Sequence, residues 1–283
     1  MEKTELFVGL GARRYRVERP WGQPFSEARV TDVAIGPHDN LLVLQRRDPL
    51  VDAPGHAVVE LDLDGRIVTR WGKDFIADAH MLRCSSDGRV FIVDRDAHEV
   101  VICSSDGRRL AGLGRRNHPL QPFNHPTCVA FDRSGEIYVS DGYANHKIHR
   151  FRHDGTPIGS WGEHGADRGQ FLNPHAIWIS GNGTIHVVDR GNNRVQLFTA
   201  GGKWTAQWTG FSQPLGIWGD ADDNVFVTDL VPSLSMFCRS GRLMGRCRPV
   251  LNGAHGVTGD KKGNLYMAEG NPSRVTRLTY LGS

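Results

Sequence analysis

A short pattern recurs six times along the chain, and it limits the possible folds more than any other feature. A turn of Asp, Asn or Gly leads into about five strand-like residues and then an acidic or amide residue. The copies are HDNLLVLQ (38–45), SDGRVFIVD (86–94), SGEIYVSD (134–141), GNGTIHVVD (181–189), DDNVFVTD (222–229) and KKGNLYMAE (261–269). Their closing positions, Gln45, Asp94, Asp141, Asp189, Asp229 and Glu269, are spaced by 49, 47, 48, 40 and 40 residues. A period of this length, rich in β-branched and aromatic residues and in turns, predicts propeller blades and not a helical solenoid.

Each unit reads as four strands. The third is TCVAFD, EIYVSD, KIHRFRHDG and PIGSWG. Units tend to close on Trp-Gly or a relative: Trp71-Gly72, Trp161-Gly162, and Trp208 with Gly210. By that spacing the sixth unit should finish near residue 288, beyond Ser283, while an orphan Trp21-Gly22 stands near the front. The sequence therefore predicts an all-β, six-bladed propeller in one domain, 1–283. Residues 12–22 would supply the missing outer strand of the last blade, which removes an exposed edge.

Composition excludes several function classes. The 34 Lys+Arg nearly cancel 31 Asp+Glu, leaving +3, which argues against a dedicated nucleic-acid binder. No apolar run is long enough for a membrane helix. The first residues lack the apolar core and cleavage site of a signal peptide, so a cytoplasmic location is expected, with no obligate protein partner. The five cysteines form no C-x-x-C and read as reduced structural thiols.

Counting back 14 residues from each closing position gives one equivalent slot per unit. Its occupants are Thr31, His80, Thr127, His175, Leu215 and His255. Histidine fills units two, four and six only. With 13 His in 283 residues, about one slot in 22 would hold His by chance. In a six-fold ring, three imidazoles from alternate blades would converge on the axis. Such a His₃ set with an open position is the arrangement expected of catalytic zinc, although imidazole also suits iron and other divalent ions. The remaining histidines lack this coherence and read mostly as surface or turn residues.

A second slot, just after the closing position, holds Arg46, Arg95, Gly142, Arg190, Leu230 and Gly270. Three arginines there suggest a positive rim that binds a small carboxylate through the guanidinium fork. Ion pairs to closing acids such as Asp94 and Asp189 are the structural alternative. Tyr143, one residue beyond the slot in unit three, is a candidate general base beside a cation cluster.

The segments HPTCVAFDRSGEIYVSDGYANHKIHRF (125–151) and GQFLNPHAIWISGNGTIHVVDRGNNRVQLF (169–198) resemble the lyase domain of peptidylglycine α-amidating enzymes, within the wider NHL-repeat propellers. The likeness extends more weakly over about residues 38–280. It implies a zinc ion held by one His from each of three blades, at His80 in DAHML, His175 in NPHAI and His255 in GAHGV. It also implies a catalytic Tyr143 and substrate-binding Arg46 and Arg190; Arg95 has no counterpart and rests on the slot argument alone. The implied reaction splits a peptidyl-α-hydroxyglycine into an amide and glyoxylate.

The chain departs from that family at several points. Gly253 and Gly256 stand where the family has a Met and a calcium-binding Asp. Loss of the calcium site and a more open pocket are therefore expected. Ala144 replaces a disulfide cysteine, and no monooxygenase domain is read in the sequence. A zinc-dependent hydrolase or hydratase on the same His₃ site, and a non-catalytic NHL-type binding module, stand as alternatives.

Overall fold

A computed structural model describes residues 5–25, 28–48, 50, 52 and 55–283. Six antiparallel sheets form the ring. The inner strands are Arg29–Ile35, Ala79–Cys84, Cys128–Phe131, Pro174–Ile179, Pro214–Gly219 and Ala254–Gly259. Each packs against the inner strands of its neighbours, and the sixth contacts both the fifth and the first, closing the circle.

Burial follows from position in the blade. The second strands, such as Val90–Asp94 and Ile185–Asp189, are buried throughout, because sheets cover both of their faces. The outer strands, such as Arg109–Leu113 and Pro157–Trp161, are largely exposed. Tryptophan closes the gap between successive blades. A Cβ on Gly107 would lie 2.4 Å from the Trp71 ring, and one on Gly202 would lie 2.8 Å from the Trp161 ring. Both glycines also have positive φ, so the turn geometry and the close approach each favour glycine.

The N-terminal strand closes the ring as the sequence predicts. Arg13–Glu18 pairs antiparallel with the third strand of the last blade, placing Val17 opposite Leu278 and Glu18 opposite Arg277. Trp21 donates its backbone N–H to Val275 O (2.9 Å) and packs edge-on against Tyr266. The sequence reading missed one element. Leu6–Leu10 adds a fifth, outermost strand to this sheet and rests against the outer strand of blade five.

The recurring closing acids have a structural task. The four aspartates accept hydrogen bonds from the backbone that leads into their own blade's inner strand, whereas Glu269 pairs with Arg274 and Thr276 of its own blade. Asp94 receives Ala77 N (3.0 Å) and Asp78 N (2.7 Å), Asp141 receives Asn124 N (3.0 Å), Asp189 receives Leu172 N (3.0 Å), and Asp229 receives Ser212 N (3.2 Å). These bonds fix the chain about three residues ahead of the slot. The repeated spacing within the chain thus sets where the strands that carry His80 and His175 begin.

The five cysteines are unpaired. No helix among the described residues is long and apolar enough to cross a membrane.

Candidate metal centre

The ring brings His80, His175 and His255 together. One ligand nitrogen from each lies within 4.8 Å of the others. Ring centroids are 4.9–5.1 Å apart and the planes are steeply inclined, as in a cup.

The intervening blades orient the rings. His80 Nδ1–H donates to Thr127 O (2.6 Å), His175 Nδ1–H to Leu215 O (2.8 Å) and His255 Nδ1–H to Thr31 O (2.8 Å). A carbonyl only accepts, so each Nδ1 carries the proton and each Nε2 lone pair is left to the centre. The three acceptors are the slot residues of blades three, five and one. The non-histidine slots therefore hold the histidine slots in the ligating tautomer, the usual second partner of a metal-bound imidazole. That partner could not be read from the sequence, because any residue type supplies a carbonyl.

The centre fits a divalent ion by its chemistry. His175 Nε2 is buried with no hydrogen-bond partner, an arrangement that is costly unless a ligand satisfies it. Burial and the neighbouring imidazoles hold His80 and His175 well below the ordinary histidine range, and burial lowers His255 to about 4. All three are therefore neutral at pH 7, as ligation requires. The sign of the pH effect follows. Depressed folded-state values mean that the unfolded chain takes up more protons below its own value of about 6.5. Metal-free protein should keep full stability above that pH and lose it progressively as pH falls toward 4. Urea midpoints at pH 7 and pH 5 after chelation test this, and equal midpoints would contradict it.

Tyr143 reaches the same centre. Its O–H donates to His80 Nε2 (3.0 Å), and its ring meets both His80 and His175 edge-on. Arg95 lies over its face, with Cζ 5.3 Å from the ring centroid.

The three slot arginines divide into two groups. Arg46 and Arg95 converge on Asp78, a nearly buried carboxylate that the sequence reading did not single out. Arg46 engages both its oxygens through Nε and Nη2, while Arg95 Nη2 lies 2.7 Å away and its Nε pairs with Asp96 (2.8 Å). Burial pushes Asp78 up to about 6 even between two guanidinium groups. The closing acids take other partners: Asp94 pairs with Arg116 and Asp189 with Arg194. The Arg190 side chain, by contrast, makes only a 3.4 Å bond to Gln213 Oε1 among the described residues. A cavity of about 480 Å³ beside the centre is lined by Arg29, Arg46, Asp78, Arg95 and Asp96 among others.

One expectation needs correction. The missing side chains at Gly253 and Gly256 do not open the pocket. A Cβ on Gly253 would lie 2.6 Å from Leu230 Cα, because the blade-five backbone closes up against it. A Cβ on Gly256 would lie 1.9 Å from Asp32 Oδ1, because that carboxylate fills the space. Three of the remaining histidines, His98, His149 and His186, are buried, and His149 Nε2 sits 3.1 Å from Asp141.

The axis farther along the inner strands is taken by an ion pair. Arg83 of blade two donates to Asp32 of blade one (2.8 Å), to Leu82 O (2.7 Å) and to Ile217 O of blade five (3.3 Å). Blades two and five face each other across a six-bladed ring, so the guanidinium lies across the channel. Calcium needs six to eight oxygen ligands. Here the available oxygens already serve a fixed cation, so the residues do not fit a calcium ion at this level. A larger cavity of about 1140 Å³ lies at the opposite mouth, lined by Arg83, Cys84, Phe131 and Ile179 among others.

Fold and centre together define a class: a six-bladed β-propeller with a three-histidine cluster at one end of its axis. Comparison with known proteins shows what the chain is similar to. Residues 123–151 match the NHL repeat. The chain is 30% identical over 200 residues to a peptidyl-glycine α-amidating monooxygenase B of Xenopus laevis, covering 61% of this chain and 23% of that protein. It is 28% identical over 199 residues to peptidyl-α-hydroxyglycine α-amidating lyase 1 of Drosophila melanogaster, covering 65% of this chain and 34% of that protein. The chain thus spans about a quarter to a third of these relatives. Among solved structures, a gluconolactonase of Xanthomonas campestris superposes with a TM-score of 0.70 over 99% of this chain and 95% of its own, at 16% identity, a likeness of fold alone.

Proposed function

We propose that the protein is a metal-dependent carbon–nitrogen lyase that converts an N-acyl or peptidyl α-hydroxyglycine, or a closely related small carboxylate, into an amide and glyoxylate. The convergence of three neutral, carbonyl-oriented imidazoles with a tyrosine hydroxyl carries this reading. Similarity to the α-amidating lyases supports the choice of reaction.

His80, His175 and His255 would hold the ion, taken here as zinc. When bound, zinc supplies Lewis acidity toward a substrate oxygen. The remaining work falls to the chain. Arginine binds the substrate carboxylate and fixes its orientation. Tyr143 stands 3.0 Å from His80 Nε2, which puts its oxygen within reach of a hydroxyl presented at the cup. It accepts the hydroxyl proton while its own proton passes to the departing nitrogen. The C–O bond becomes C=O, the C–N pair goes to nitrogen, and no water is consumed.

Tyr143→Phe should leave bound metal unchanged and lower turnover about 100-fold, a usual acid–base contribution. Steady-state glyoxylate release from α-hydroxyhippurate by the zinc-loaded protein measures it. Unchanged turnover would remove Tyr143 from the reaction. The reaction class has its own test. Stoichiometric benzamide and glyoxylate support the lyase, whereas absence of cleavage, with ¹⁸O from solvent entering a lactone or amide product, would replace it with hydrolysis.

A further inference from the structure

The rim contains a fourth arginine that the slot count did not reveal. Arg29 is the first residue of the blade-one inner strand, and it lies directly opposite Arg46 on the next strand. Like charges facing each other across a β-ladder are destabilising, so stability alone gives no reason for the pair. Asp78 compensates Arg46. The Arg29 side chain makes no ion pair or hydrogen bond with a described residue.

Its guanidinium occupies a prepared place. The blade-six residue of the arginine slot is Gly270, and a Cβ there would fall 2.5 Å from Arg29 Nε and 3.3 Å from Nη2. Arg29 therefore reaches across from blade one into the gap left by the blade-six slot. Around the rim the cations then stand at blades one, two, four and six. The charges of Arg29, Arg190 and Arg46 all reach His255. Arg46 and Arg95 are committed to Asp78 and Asp96, whereas Arg29 and Arg190 have no carboxylate partner among the described residues.

We propose that Arg29 is a substrate-binding residue: the substrate carboxylate is gripped between Arg29 and Arg190 on the His255 side of the centre, and Arg46–Asp78–Arg95 is the fixed frame beside it. This deepens the lyase reading and rests on it for the identity of the substrate, but the anion grip has a readout of its own. Zinc-loaded protein is titrated calorimetrically with glycolate, which pairs a hydroxyl with a carboxylate, and with glycolamide, its neutral counterpart. Arg29→Gln should weaken glycolate about tenfold or more and leave glycolamide unchanged. Arg29→Lys, which keeps charge without the fork, should fall between. Arg133→Gln, at the opposite mouth, removes the same net charge and should change neither. Glycolate affinity retained in Arg29→Gln but lost in Arg190→Gln would overturn the proposal, as would equal loss of both ligands. Failure of α-hydroxyhippurate cleavage with the glycolate pattern intact would refute the lyase while leaving the anion grip standing.

Discussion

His175→Ala should reduce bound zinc from about one ion per chain to a trace and abolish glyoxylate release. Of the three imidazoles, His175 is fully buried and its Nε2 has no partner within the protein. Removing it leaves His80 and His255 as two ligands, short of the three that a catalytic zinc site draws from the protein. Leu215 O also loses its donor. The cost to folding should be modest, because the blade-four strand is still held by Asp189 at Leu172 and Asn173. Metal analysis after dialysis, circular dichroism and a product assay separate these effects. A folded His175→Ala protein that turns over substrate without metal would end the assignment.

Arg83→Met should be the most destabilising change at the axis, costing about 3–5 kcal/mol, the usual result of breaking a buried ion pair by removing one partner. Asp32 is wholly buried, and one of its oxygens already has no hydrogen-bond partner. Burial raises Asp32 above the ordinary carboxylate range, and Arg83 draws it back. Without the guanidinium, no charged group offsets Asp32, which keeps backbone contacts such as the Leu82 N–H (3.0 Å). Ile217 O loses its bond from across the ring as well. Asp32→Asn combined with Arg83→Met removes the unpaired charge and should recover most of the loss. Urea denaturation of the two variants measures the difference, and an equal loss in both would show that the charge is not what matters. Calcium or its chelator should leave the wild-type midpoint where it is, since a fixed cation already holds those oxygens.

Much of this molecule is legible because a propeller writes its geometry into its period. Six repeats, a missing outer strand and an orphan Trp21-Gly22 specify a closed ring, since an open edge in the last blade would leave backbone groups unpaired. Equal counting then locates His80, His175 and His255, because equivalent positions on inner strands face one axis. What counting misses are contacts between unequal positions. Asp78 draws Arg46 and Arg95 away from the closing acids because it lies between them in space, two residues before His80. Arg29 enters the rim only because Gly270, far away in sequence, leaves room for it. Gly253 and Gly256 read as space in the sequence, yet they are places where a backbone and a carboxylate come close.

The sequence by itself determined the number of blades, the closing strand and the three histidines, because each follows from periodicity along the chain. Only the tertiary structure decided which nitrogen each histidine presents, which arginines pair with carboxylates among the described residues, and that Arg83 spans the channel. Those depend on carbonyls, cavities and partners brought together across the ring, where residue type and spacing carry no record of who meets whom.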